Sequence, residues 1–274
     1  MLTLIIKMCM TIDEWIHQRE IRGNMTFSVL ELRQAFPENS EKGVKTELRR
    51  LSSKGRIQSV YRGFYVVIPI QYQLQGIVPP NYYIDELMAY VGKPYYVGLL
   101  SAAAMYGAAH QRPMLTQVMT VEPRIKTSEK NPLLEWHYRH DIPEHLVLTK
   151  NGEIGVVRYS SAELTAVDLV QFAGHVGGYQ RVATVLAELI EMVDMSKMRD
   201  ILDHTTKATL RRLGCLLEYV LEETEKADEL FDIIKGQGRE WNTVLLSNAH
   251  PQNNDAQSNR WQANINVEIE IDEI

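Results

Sequence analysis

The arrangement of apolar residues between 40 and 68 most constrains what this chain can fold into. Val44, Leu48 and Leu51 recur at the three- and four-residue spacing that lines one face of a helix. Asn39 or Ser40 supplies its cap and Gly55 its stop. Ile57 to Ile68 follows at once, rich in β-branched and aromatic residues, and reads as two strands around Tyr61-Arg62-Gly63. Two shorter helices come before. The first starts at Thr11, with Glu14 at capping-box spacing and Ile12, Trp15 and Ile16 as its stripe, and ends at Gly23-Asn24. The second follows Thr26-Phe27-Ser28, carries Val29, Leu30, Leu32 and Phe36, and cannot pass Pro37.

Helix, helix, helix, hairpin is the order of a winged helix-turn-helix. Opposite the apolar face, the third helix carries Lys42, Thr46, Arg49, Arg50 and Ser53, with Lys45 on the flank. A helix fits the DNA major groove, where arginine pairs with guanine and polar side chains read other base edges. Lys42, Thr46 and Arg49 are therefore the predicted base contacts. Lys45, Arg50, Arg56 and Arg62 are better placed for phosphates, and Tyr61 at the hairpin tip completes the predicted DNA-binding set. The competing readings are a solvated helix face carrying ordinary ion pairs among Glu41, Lys45, Glu47 and Arg50, and a winged helix that contacts protein.

The net charge of −6 argues against nucleic acid only until it is resolved along the chain. Residues 1–70 hold eleven Lys/Arg against seven Asp/Glu, or +4, leaving 18 against 28, or −10, for residues 71–274. A basic module joined to an acidic one is expected of a DNA-binding protein with a second task. At 274 residues the chain is long enough for two domains. We read residues 1–70 as the DNA-binding domain, 71–80, with Gly76 and Pro79-Pro80, as a linker, and 81–274 as the second domain. No apolar run reaches the roughly 18 residues of a membrane span. The opening Met1 to Met10 lacks signal-peptide features, so the expected location is cytoplasmic; translation starting at Met8 or Met10 is an alternative. Cys9 and Cys215 are expected to be reduced thiols, with no disulfide or zinc framework.

The run Leu48-Arg-Arg-Leu-Ser-Ser-Lys-Gly-Arg-Ile57 into Tyr61-Arg-Gly-Phe-Tyr-Val66 resembles the winged helix of AbiEi-family antitoxins. Tyr95 to His110 and Gln117-Val-Met-Thr-Val121 are similar to the opening of that family's second domain. Tyr159 to Val170, Gly177-Gly178 and Arg211 to Leu217 resemble its later part in order and spacing. The likeness spans about residues 50–250 and is carried by several weak motifs in series. It implies an antitoxin of a type IV, abortive-infection toxin–antitoxin system used in phage defence. In that scheme the N-terminal domain binds double-stranded operator DNA and represses its own operon. The C-terminal domain counteracts a cognate nucleotidyltransferase-like toxin without requiring a stable complex. No enzyme activity, cofactor, metal or membrane is implied.

From its residues, the second domain is expected to be a larger, mostly helical α+β domain with a small antiparallel sheet. Helices are read at 82–91 and 95–109, and strands at 116–121, 134–139 and 154–159. Ser160-Ser-Ala-Glu163 opens a further helix, and others carry stripes such as Val182, Val185, Leu186, Leu189, Val193 and Leu210, Leu213, Leu217, Val220. Trp241–Leu246 and Trp261–Ile271 alternate at strand period and are read as a late strand, around a polar tail at 251–259.

Catalytic groups are scarce here. His137, His140 and His145 read as surface or structural histidines rather than metal ligands, and Gly174 to Gly178 as a turn rather than a phosphate loop. Glu163 and Asp168 lie five apart on one helix and point in different directions; Glu163 is explained as a cap, and Asp168 as a partly buried acid needing a partner. Arg181, Lys207, Arg211 and Arg212 read as helix-face charge, with an RNA-contacting surface as the alternative. A nucleotidyltransferase or nuclease is disfavoured for want of a closely spaced acidic pair after a Gly-Ser turn. The main rival function is a stand-alone winged-helix regulator whose second domain binds an effector. We expect residues 1–70 to suffice for DNA binding and residues 80–274 for antitoxicity.

Overall fold

The structure, a computed structural model, describes residues 10–109, 113–123, 125, 133–152, 155–236 and 241–270. Met8, Cys9, Ile154 and Ile271, invoked above, lie outside these residues. The chain is of mixed α+β class and divides into two compact units. One comprises residues 1–95, 120–138 and 149–158, the other 96–119, 139–148 and 159–274.

The first unit opens with helix α1 (Ile12–Ile21), strand β1 (Thr26–Ser28), helices α2 (Val29–Ala35) and α3 (Glu41–Ser53), and strands β2 (Ile57–Tyr61) and β3 (Phe64–Val67). Thr11 and Ser28 each cap a helix through a reciprocal capping box, with Glu14 and Glu31. Ser40 caps α3 by accepting from the Gly43 amide at 3.1 Å. The strands form an antiparallel sheet in the order β1-β3-β2. Phe27 is fully buried between the Tyr65 ring, stacked at 5.5 Å, and the edge of Trp15 at 5.7 Å. Val44, Leu48 and Leu51 of α3 join Ile12, Ile16 and Leu32 in this core. Each such burial is worth about 2 kcal/mol, enough to fix which face of α3 points inward.

The segment 71–80 is locally structured. It carries a 3-10 turn at Ile70–Tyr72, and Val78, fully buried, donates its amide to the Gln58 side chain at 3.1 Å. A second 3-10 turn, Pro80–Tyr82, leads into α4 (Ile84–Val91), which buries Ile84, Leu87 and Met88 and accepts a hydrogen bond on Glu86 from the Thr26 hydroxyl of β1.

Beyond Gly92 come β4 (Tyr95–Val97), α5 (Leu99–Met105), β5 (Thr116–Thr120), β6 (Leu134–Tyr138), β7 (Val147–Asn151) and β8 (Val156–Ser160). The expected helix over 95–109 is thus a strand followed by a shorter helix, because Tyr95, Tyr96 and Val97 are all buried β-formers ending at Gly98. The five strands form one sheet in the order β6-β5-β4-β8-β7. The sheet is not wholly antiparallel, as β4 pairs with β8 in parallel, Val97 opposite Tyr159. The intervening α5 and three strands supply the long crossover that a parallel pair needs.

The rest of the second unit is helical: α6 (Ala162–Gln171), α7 (Gly178–Leu189), a 3-10 stretch Met195–His204, α8 (Lys207–Tyr219) and α9 (Thr224–Lys235). The expected stripes of α7 and α8 are buried, except Val220, which is half-buried. The late strand is only a parallel two-residue bridge between β9 (Val244–Leu245) and β10 (Ala263–Asn264). Trp261 fills the core beside it with no exposed surface. Among the described residues, no helix is long and apolar enough to cross a membrane.

Candidate functional site

Two places concentrate charge: the outer face of α3, in the first unit, and a buried cluster on α6, in the second. On α3 the core face is occupied, so Lys42, Lys45, Thr46, Arg49, Arg50 and Ser53 all stand in solvent. Their surroundings differ. Lys45 Nζ lies 2.8 Å from Glu41, which also meets Arg33 at 3.1 Å. Arg50 donates two hydrogen bonds to Glu47 and has Asp13 at 3.9 Å. Arg56 is held between Glu20 at 3.2 Å and Asp13 at 3.7 Å. The Thr46 hydroxyl donates to the Lys42 carbonyl at 2.9 Å. Lys42 and Arg49 make no ion pair with any described residue, so their charge projects from the helix uncompensated. At the hairpin, Gly63 takes φ +75°, allowing the tight turn that leaves Arg62 exposed, while Tyr61 is half-buried.

In the second unit Asp168 has no exposed surface. It accepts from the Tyr96 hydroxyl at 2.6 Å and from the Arg139 guanidinium. Arg139 also donates to the His204 carbonyl at 2.5 Å, and the His204 ring is hydrogen-bonded to Asp141. Burial pushes the Asp168 carboxyl above its usual range, against the pull of Arg139 and Tyr96. Burial pushes the Tyr96 hydroxyl well up as well. With Asp168 and Tyr96 fully enclosed and Arg139 3% exposed, the cluster ties β4, the end of β6 and α6 together and offers no face to a substrate. Sequence reading found Asp168 but missed both partners, since they lie 29 and 72 residues away and no local spacing announces them.

The remaining candidates are structural. Glu163 is not a capping-box residue: Ser161 caps α6, and buried Glu163 accepts the Asp194 amide at 3.0 Å. Gly177 and Gly178 take left-handed φ at the turn into α7. His137 is buried near Glu135 and His145 packs 5.4 Å from the His204 ring. Among the described residues, no group of three or more His, Cys, Asp or Glu could hold a metal ion. Arg211 is buried, not helix-face charge, and donates to the carbonyls of Trp261 at 2.6 Å and Gln262 at 2.7 Å; Arg212 donates to Leu245 at 2.7 Å. These arginines hold the C-terminal segment on α8.

The fold and these sites define a two-part α+β protein with an exposed basic helix near its start and a structurally buttressed helical second part. Residues 96–219 match the family model of the AbiEi antitoxin C-terminal domain, so this part of the chain is similar to that domain. No curated protein sequence matches the chain. Among solved structures, the RV2827C protein from Mycobacterium tuberculosis is similar in fold, with a TM-score of 0.62 over 87% of this chain and 85% of that one at 14% identity.

Proposed function

We propose that this chain is an AbiEi-family antitoxin that binds double-stranded operator DNA upstream of its own gene through a winged helix formed by α1 to β3, and thereby represses its operon. In this reading the part carrying the AbiEi domain counteracts a cognate nucleotidyltransferase-like toxin of a type IV system, without requiring a stable complex. The observation that carries the DNA-binding half is α3 itself. Its apolar face is fully used in the core, yet Lys42, Thr46 and Arg49 project together from the opposite side just before a hairpin tipped by Arg62. Arg49 is the base reader and Lys42 and Thr46 flank it; Lys45, Arg50, Arg56, Tyr61 and Arg62 make the backbone contacts.

The test is a titration of the full chain against DNA from upstream of its gene and against unrelated duplex, at two salt concentrations, beside Arg49→Glu. Selective, salt-sensitive binding lost in the variant is the expected result. Equal or absent binding to both duplexes at every salt would overturn the operator reading and leave the module as a protein-contact domain. Antitoxicity is tested by co-expression with the toxin, where failure of the Arg49→Glu chain to rescue growth would overturn the separation of the two tasks.

A further inference from the structure

The side chain that touches every residue of the hairpin turn comes from outside the first seventy residues. Tyr90, near the end of α4, donates its hydroxyl to the Arg62 carbonyl at 3.3 Å. Its ring meets Tyr61 edge-on at 6.2 Å and Phe64 at 5.2 Å. A Cβ at Gly63 would come within 2.9 Å of the Tyr90 hydroxyl, and the glycine is needed for its φ of +75°. The helix bearing Tyr90 is itself fixed, through Glu86 to Thr26, to the strand at the other end of the same small sheet. A two-residue turn carrying an exposed arginine is otherwise free to sway, which costs affinity when it must be ordered on a ligand.

We propose that Tyr90 is a positioning residue for the hairpin, holding Arg62 where it meets the DNA backbone, so that DNA recognition needs α4 as well as residues 1–70. This rests on the winged-helix reading above. Tyr90→Phe keeps the ring and removes the hydroxyl that bonds Arg62; Tyr90→Ala removes both.

The experiment measures DNA affinity and its salt dependence for full-length wild type, Tyr90→Phe, Tyr90→Ala, Arg62→Ala and the Tyr90→Ala/Arg62→Ala double variant. It also follows amide exchange over the hairpin without DNA. The expected loss is about threefold for Tyr90→Phe and about tenfold for Tyr90→Ala. The slope of log affinity against log salt should be shallower by about one in Tyr90→Ala, as in Arg62→Ala, and the double variant should bind no worse than Arg62→Ala. An unchanged slope, with the same loss in both backgrounds, would show a general packing role and overturn the proposal. If wild type binds no DNA selectively, the DNA reading fails, and the exchange data decide positioning alone. Faster hairpin exchange in Tyr90→Phe supports it, and unchanged protection overturns it.

Discussion

A Cβ at Gly214 would lie 2.1 Å from the six-membered ring of Trp261, so the indole occupies the space any other side chain at 214 would need. The indole cannot turn aside: it is fully buried, and its N–H donates to Glu218 at 2.6 Å. Arg260 reinforces the lock, donating to Glu218 at 2.6 Å and to Asp228 at 2.5 Å.

Gly214→Ala therefore sets two effects against each other. Alanine favours an α-helix by about 1 kcal/mol, while forcing a methyl group into a filled core costs about 1–3 kcal/mol. Because the obstacle is a rigid ring, the clash should win. Chemical denaturation is expected to show a lower midpoint with red-shifted tryptophan emission; an unchanged or raised midpoint would show that the indole can move.

Arg139→Met should be far more damaging than a surface change, because it leaves Asp168 buried and unpaired, at a cost of about 3–5 kcal/mol. The sign of its pH dependence follows. Asp168 is already raised by burial, and without Arg139 it rises further. A raised carboxyl favours folding when protonated, and that contribution is lost as pH climbs through the folded-state value. The variant should thus regain stability relative to wild type as pH falls toward the ordinary carboxylate value of 3.8, as read from denaturation midpoints. A deficit that stayed constant with pH would mean the carboxylate finds another partner.

On α3, adjacent arginines should differ. Arg49 stands without an ion pair, whereas Glu47 neutralises Arg50 locally. If the helix reads operator DNA, Arg49→Ala should weaken binding about tenfold and relax specificity at one base pair. Arg50→Ala should do less, and uniformly across sequences. Equal effects in a competition assay with single-base operator variants would contradict these assignments.

Burial pushes the Cys215 thiol up to about 12 from an ordinary 9.0. It should resist alkylation in the folded protein and react once unfolded, as followed on its own tryptic peptide. Below the unfolded value both states hold the proton. As pH rises from 9.0 toward 12 the unfolded chain ionises first, so stability falls over that window. Cys215→Ala should flatten this part of the decline; an identical alkaline profile would assign it to other groups.

Local chemistry made the first seventy residues legible. The Thr11–Glu14 capping pair, the Ser40 cap and the Val44-Leu48-Leu51 stripe depend on neighbours three or four residues away, and the structure places them as read; sequence reading missed the Ser28–Glu31 capping box. What escaped depends on distant partners. Tyr95 to Val97 precedes an alanine-rich helical pattern, and its strand is completed by neighbours on both sides, β5 and the sequence-distant β8, which no local spacing announces. Arg211 and Arg212 have the spacing of solvent-facing charge, and only the return of residues 241–270 buries the first and engages the second.

The lock between α8 and Trp261 also orders events during synthesis. The stretch matched by the antitoxin domain model ends at 219, well before Trp261 leaves the ribosome, so the hydrophobic face of α8 must wait with its central slot at Gly214 open. The indole closes that slot from within the same chain, so the protection of this helix face is carried by a residue far outside the helix.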